Sequence, residues 1–325
     1  MNVAFTIATK NYLPQAKALS DSYLYHHPRH KFIIYLVDKI DKKIDIKFSD
    51  QAEIIEVDTL EIENFHKMSK IYTLFEFLTA IKPILSILTI KRYPNLDAYI
   101  FLDSDMLVYS NMDNVNKILA EGFEIILSSH FFTPPPVDGF FPDEKTYFNC
   151  GTFNAGFFAF SNKPNSLLFL NWWNDRLKTE CILNFSKGLF YEQIWLNLVP
   201  LYFKNVNIIS HPGYNVGYWN FHERRLEKKS DNKFSINEVY DLVLFHFSGF
   251  DIKQQDVISK FQNRFRFEDK SEYKEIFNHY TETLLSNKYE SMSHLQNYYS
   301  FAKPVAKPSI VQKIIIKIKA LLKYN

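Results

Sequence analysis

The sequence predicts an α/β fold, a doubly wound mixed sheet with flanking helices and a C-terminal helical tail. Three observations carry that expectation. Short apolar runs alternate with stretches of helical period along the first hundred residues. The run Ala98-Tyr99-Ile100-Phe101-Leu102 is continuously apolar, as a strand covered on both faces must be. The chain has 325 residues, 46% of them hydrophobic, with 31 Phe and 20 Tyr, so a sizeable core is available and general disorder is excluded.

The elements follow in order. Residues 3–7 read as a strand. Leu13, Ala16, Leu19, Tyr23 and Leu24 then share one helical face, closed by Pro28. Residues 32–37, ending at Asp38, and 53–57 are the next strands. Residues 71–92 are mostly helical, interrupted at Pro83, and lead into strand 98–102. Further strands are expected at 123–127, 156–160, 206–209 and 242–247, and helices at 166–178 and 192–198. Between them, residues 131–150 contain Pro134-Pro135-Pro136 and Asp138-Gly139, a loop long enough to be functional. No internal repeat is visible. The expected organisation is a main domain over 1–265, a helical extension over 266–302 and a basic amphipathic helix over 303–325. That last stretch carries six lysines and no acid, with Ile310, Ile314, Ile318 and Leu321 among the apolar residues at helical spacing. The pattern suits a helix on an anionic membrane surface, or one packed on the domain or another subunit.

Composition excludes several functions. A net charge of +2 is too balanced for nucleic-acid binding over the whole surface. Cys150 and Cys181 are the only cysteines, which fits a reducing compartment and excludes a disulfide scaffold. The first residues lack the basic lead and apolar stretch of a signal peptide, and no run approaches the ~18 apolar residues of a membrane span. The expected location is cytoplasmic, with the tail allowing peripheral attachment to the inner face of the cell membrane. All eight glycines lie at or beyond Gly122. A Walker loop, a dinucleotide fingerprint or the Gly-rich loop of a nucleotidyltransferase therefore cannot occupy the N-terminal part. A nucleotide bound there must have its phosphates met by metal or side chains.

Asp103-Ser104-Asp105 falls where strand 98–102 ends, the edge at which open α/β sheets bind ligands. Two carboxylates there can turn toward one hard cation; in isolation they would be a solvated turn. In Ala8-Thr9-Lys10-Asn11-Tyr12, backbone groups can read a base edge and Tyr12 can stack on it, or the segment is an ordinary strand-to-helix turn. Asn149-Cys150-Gly151 and Asn154-Ala155-Gly156 suggest a tight turn with exposed amides, and Asn154 can bond a hydroxylated ligand. Glu192 and Gln193 can face a sugar carbon or lie on a helix surface. His246, in Leu244-Phe245-His246-Phe247-Ser248-Gly249, is either a core histidine or the third ligand of a divalent ion. As a ligand it would favour Mn2+ over Mg2+, because imidazole is softer than carboxylate.

The order of these segments resembles the nucleotide-diphospho-sugar transferases of the GT-A fold, especially glycosyltransferase family 8 and its bacterial relatives. Coverage runs from about Val3 to Lys253. The resemblance implies that Asp103, Asp105 and His246 hold the metal, and that Asn154, Glu192 and Gln193 act at the reacting face of the sugar. Ala8, Thr9, Tyr12, Lys82, Asp103, Ser104, Arg224 and Gly249 would then bind the donor. Tyr72, Glu76, Lys82 and Pro83, and the stretch Tyr214-Asn215 to Tyr218-Trp219-Asn220, resemble further shared segments. Two departures stand out: Gly249 is followed by Phe250-Asp251-Ile252-Lys253 without the family's Pro-Trp, and Glu192 stands where Asp is usual. The implied activity is Mn2+- or Mg2+-dependent, retaining transfer of a sugar from a UDP-sugar to a glycan or lipid-linked acceptor, with no nucleic-acid partner. A catalytically silent sugar-nucleotide or glycan-binding module on the same fold is the alternative.

Overall fold

The computed structural model describes residues 1–41, 44, 46–230 and 233–303. Its centre is a seven-stranded sheet. The chain begins with β1 (Asn2–Ala8), α1 (Leu13–His26), β2 (Lys31–Leu36) and β3 (Ala52–Glu56), then three helices, α2 (Phe65–Ile71), α3 (Leu74–Ala80) and α4 (Lys82–Arg92). Next come β4 (Ala98–Leu102), β5 (Met106–Val108), α5 (Asp113–Ala120), β6 (Ile125–Ser129), α6 (Glu144–Cys150), β7 (Phe153–Phe160) and α7 (Pro164–Leu177). A hairpin of β8 (Leu183–Asn184) and β9 (Leu189–Phe190) precedes α8 (Val199–Tyr202) and β10 (Val206–Ile208). The remainder comprises β11 (Leu226–Ser230), β12 (Lys233–Ile236), β13 (Tyr240–Asp241), β14 (Leu244–His246), α9 (Lys274–Ser286) and α10 (Tyr289–Met292).

The sheet order is β10-β6-β7-β4-β1-β2-β3. Its neighbours are parallel except β7, which runs antiparallel to both β4 and β6. The doubly wound mixed sheet is therefore as the sequence predicts. Each face has its own core, and strand alternation divides the residues between them. Phe5, Tyr99 and Phe101 join one core with Phe77, Leu85, Phe169 and Trp173. Ala4, Ile100 and Leu102 join the other with Leu19, Tyr23 and Val115. Both faces are covered, which is why 98–102 is continuously apolar.

Several elements depart from the sequence reading. The break in the long helix falls at Ile81, and Pro83 sits inside the first turn of α4, where its missing N–H costs nothing. Residues 193–198 form a 3-10 segment running into α8 rather than an α-helix. The stretch 131–150 is not all loop: Asp143 caps α6 by accepting the Thr146 N–H at 2.9 Å. The strand expected at 242–247 leaves the main sheet and pairs with β5 in a two-stranded ribbon. The basic tail beyond Lys303 lies outside the described residues.

Candidate metal and nucleotide-sugar site

Strand register assembles the site. The antiparallel pair β4/β7 matches Leu102 with Phe157, and the Asp103 N–H donates to the Gly156 carbonyl at 2.8 Å, extending the pairing by one step. In the ribbon, Met106 pairs with His246, and the Phe247 N–H donates to the Asp105 carbonyl at 2.9 Å. One register thus fixes Asp103 beside Gly156, and the other sets His246 beside Asp105. Asp103, Asp105 and His246 each present one ligand atom, all within 4.8 Å of one another. His246 Nε2 lies 3.0 Å from Asp105 Oδ1. Burial alone would raise the Asp105 carboxyl, but the His246 imidazole outweighs it and holds Asp105 below the ordinary carboxylate range. Burial pushes the Asp103 carboxyl up, against the pull of Lys82 and His246.

The orientation of His246 follows from a chain of hydrogen bonds that starts at a backbone amide. Gly156 N–H donates to Asn154 Oδ1 at 3.0 Å, which fixes that oxygen as an acceptor. Asn215 Nδ2 donates to the same oxygen at 3.1 Å and to Ser128 Oγ at 3.2 Å. Asn215 Oδ1 is left to accept from His246 Nδ1 at 3.1 Å. Nδ1 therefore carries a proton, and Nε2 faces Asp105. Asn215 is fully buried and has a φ of 51°, a left-handed conformation that asparagine tolerates better than most residues. Asn154 Nδ2 contacts His130 Nε2 at 3.3 Å, and burial lowers His130 to about 4. Asn154 is thus buried and bonded within the network.

Gly156 makes room for the cluster. A Cβ there would lie 2.6 Å from His246 Cε1, 2.8 Å from Asn154 Oδ1 and 2.9 Å from Asp103 Oδ2. No side chain fits at that point without displacing a proposed ligand. The sequence reading used Gly156 only as part of a turn signal, whereas its role depends on residues far apart in the chain.

Lys82, buried at the start of α4, is surrounded by acceptors. Its Nζ lies 3.0 Å from Asp103 Oδ1, 2.8 Å from Glu192 Oε1 and 3.1 Å from the Ala155 carbonyl, and 4.7 Å from the centre of the Phe101 ring. Burial would strip its proton, but Asp103 and Glu192 outweigh that and hold the ammonium charged. Its three N–H groups already have partners, so Lys82 ties the acidic cluster to Glu192.

The other candidates divide. Ala8 ends β1, its carbonyl accepting from Val37 N–H at 2.8 Å, and Thr9 Oγ1 bonds Asn11 Oδ1. Tyr12 is half-exposed; partial burial and the charge of Asp105 both raise its phenol, so its ring lies in the field of the cluster. Ser104 sits in the turn between the carboxylates. Gly249, at φ 73°, leaves space that the Phe261 ring and Ser259 hydroxyl fill. Gln193 Nε2 donates to the Cys150 carbonyl at 2.7 Å, which anchors the segment leading into β7. Arg224 is not among the residues gathered at the cluster. It is buried, donates to the Tyr214 carbonyl at 2.5 Å and lies 3.4 Å from Glu223, and its pKa is lowered by burial to about 10. Tyr72 and Glu76 hold structure: Tyr72 donates to the Leu177 carbonyl, and Glu76 completes a capping box with Thr73.

Comparisons with known proteins bear on the fold. No protein-family model matches the chain. It is 26% identical over 255 residues to YfnF of Bacillus subtilis (strain 168), an uncharacterized protein, covering 76% of this chain and 81% of YfnF. YfnD of the same organism, also uncharacterized, is 21% identical over 205 residues, and the chain spans 62% of its length. Among solved structures, the galactosyltransferase LgtC, in complex with donor and acceptor sugar analogs, is similar with a TM-score of 0.50 at 15% identity, covering 87% of this chain and 96% of LgtC. The chain has the GT-A glycosyltransferase fold.

Proposed function

We propose that the chain is a divalent-metal-dependent glycosyltransferase that moves a hexosyl group from a UDP-sugar to a hydroxyl of a glycan or lipid-linked acceptor, with retention of configuration. The observation that carries this reading is the convergence of Asp103, Asp105 and His246 at the carboxyl edge of the parallel strands. Two hard oxygens and one imidazole suit Mn2+, and Mg2+ less well. When bound, the ion would supply positive charge to the departing diphosphate. Asp103 and Asp105 would hold it from the β4–β5 turn, and His246 from the ribbon. Ala8, Thr9 and Tyr12 would receive the base, at the end of β1.

Lys82 is assigned a positioning role: its bonds to both carboxylates hold Glu192 fixed relative to Asp103. Asn154 is assigned the same kind of role through Asn215, and Gln193 sits where it can support the loop over the sugar. Residues 1–265 would form the catalytic domain, 266–302 its helical extension, and 303–325 a membrane-surface anchor on the cytoplasmic side. Among the described residues no helix is long and apolar enough to cross a membrane. The test is a screen of nucleotide sugars for Mn2+-dependent hydrolysis, read as release of nucleoside diphosphate. One UDP-sugar should stand out, and chelation should stop the reaction. Binding without turnover of any donor would contradict the proposal.

A further inference from the structure

Asp38 follows β2, beside the turn that follows β1, at the edge where an acid of an open α/β sheet can meet a ribose hydroxyl. This carboxylate is fully buried and already taken. Its Oδ1 accepts from the Lys39 N–H at 2.9 Å and from the Tyr298 N–H at 3.0 Å, and Lys10 Nζ lies 3.2 Å from the same oxygen. Its Oδ2 takes the Lys10 N–H at 3.4 Å. Lys10, 5% exposed, also reaches Asp41 Oδ2 at 2.9 Å. Neither Asp38 nor Lys10 is open to a ligand. What they hold is backbone: Lys10 opens the short 3-10 turn in which the Tyr12 N–H donates to the Thr9 carbonyl at 2.9 Å.

One donor on Asp38 comes from 260 residues away. After α10 the chain passes the end of β2 as a strap and runs on to α2 and α3. Asn297 Nδ2 donates to the Val37 carbonyl at 2.8 Å, and its Oδ1 accepts the Tyr299 N–H at 2.8 Å, so both halves of the amide are committed. The Tyr299 ring meets Phe65 edge-on at 5.4 Å, the Phe301 ring lies 5.1 Å from Phe77, and the Ala302 N–H donates to the Tyr72 carbonyl at 2.9 Å. Ahead of the strap, Asn287 Nδ2 donates to the Pro14 carbonyl at 3.3 Å. The C-terminal extension is thus bonded on both sides of the Thr9–Tyr12 turn, to Pro14 directly and to Lys10 through Asp38. Tyr298 is 66% exposed, so its contribution is the backbone N–H rather than the ring. An N–H given to a buried carboxylate is one of the stronger hydrogen bonds.

We infer that Asp38 is a positioning residue for the nucleoside of the donor: it sets the Thr9–Tyr12 turn through Lys10, and the Asn297–Ala302 strap holds it there, so that the C-terminal extension completes the donor site. This rests on the reading that the turn after β1 receives the base. The test therefore pairs a measurement that needs no ligand with one that does. Hydrogen exchange read by mass spectrometry follows the amides of Lys10–Tyr12, and calorimetry follows binding of UDP in the presence of Mn2+. Tyr298→Pro removes the N–H on Asp38, whereas Tyr298→Ala removes the exposed ring and keeps the N–H. Tyr298→Pro should speed exchange in the turn and weaken UDP, each by about tenfold, the scale of one lost hydrogen bond to a charged group. Affinity falls with the fraction of molecules that hold the competent turn. Asn297→Ala, which frees the Val37 carbonyl, should act in the same direction. Mn2+ affinity measured without UDP should stay at the wild-type value in both variants, and Tyr298→Ala should match the wild type throughout. Unchanged UDP affinity in both Tyr298→Pro and Asn297→Ala overturns the inference. So does exchange that quickens across the whole chain rather than in the turn, or a loss of Mn2+ affinity equal to that of UDP, since either means general loosening. If exchange quickens in the turn while the wild-type chain binds no UDP, the base-binding reading fails and the hold of the strap on the turn stands.

Discussion

His246 and His27 look alike by coarse measures. Each is 5–6% exposed and each uses both ring nitrogens. His27, at the end of α1, bonds the Tyr23 carbonyl through Nδ1 at 2.9 Å, and its Nε2 accepts the Met112 N–H at 2.9 Å. A donor meets an acceptor at both ends, and a neutral ring is complete. His246 is satisfied at Nδ1 by Asn215, but its Nε2 faces a carboxylate oxygen, which can only accept when ionised. Something positive must lie between them, either a proton or a cation. Burial does not distinguish a structural histidine from a ligand; what faces its second nitrogen does.

The strongest way to break the contrast is at Lys82, since nothing near His27 resembles its buried link between two carboxylates. Lys82→Ala leaves Asp103 and Glu192 without their counter-charge and should cost about 3–5 kcal/mol of stability, the usual scale for breaking a buried pair. Chemical denaturation measures it, and a loss under about 1 kcal/mol would show the cluster well solvated. Asn215→Ala should come next. Removing the group that orients a metal-binding histidine typically weakens the metal by about 10–100-fold. A Mn2+ titration reads the effect, and wild-type affinity in a folded variant would mean that packing alone orients His246.

The smallest effect lies at the His27 end. Burial first, and then neighbouring His27, lower His30 to about 4, and burial lowers His27 as well. Folded values below the unfolded one mean that the unfolded chain takes up protons first as pH falls. The stability they contribute is complete above about pH 6.5 and is lost progressively toward pH 4. His30→Asn should flatten part of that fall in melting temperature, and added Mn2+ should leave its slope unchanged.

Much of this was legible in the sequence, and the rest was hidden for identifiable reasons. The continuous run before Asp103 and the βα alternation declare the sheet, because two covered faces leave a local imprint. Asp103, Asp105 and His246 stand at strand ends that can be read one at a time. Asn215 and Gly156 have no local signal. Asn215 matters because it meets residues 31 and 61 positions away, and Gly156 because Asp103 and His246, from other parts of the chain, crowd the place a Cβ would take. Residues 193–198 have helical spacing, yet the chain tightens to a 3-10 turn there, with Gln193 bonded to Cys150 and Asn197 Oδ1 accepting from Thr152 N–H and Oγ1 at 2.9 Å. Residues 131–150 read as a long loop from their prolines and Asp138-Gly139, but the bonds that tie Asp138 and the Pro142 carbonyl to Arg264, more than 120 residues later, leave no local signal.

The most direct test of the central claim is a calorimetric Mn2+ titration of His246→Ala and His27→Ala beside the wild-type chain, with a melting curve for each. The difference between the two rings predicts that His246→Ala loses about tenfold or more in Mn2+ affinity while melting close to wild type. His27→Ala should melt earlier and bind Mn2+ as the wild type does. If His246→Ala binds Mn2+ unchanged, the cluster of Asp103, Asp105 and His246 is not a metal site.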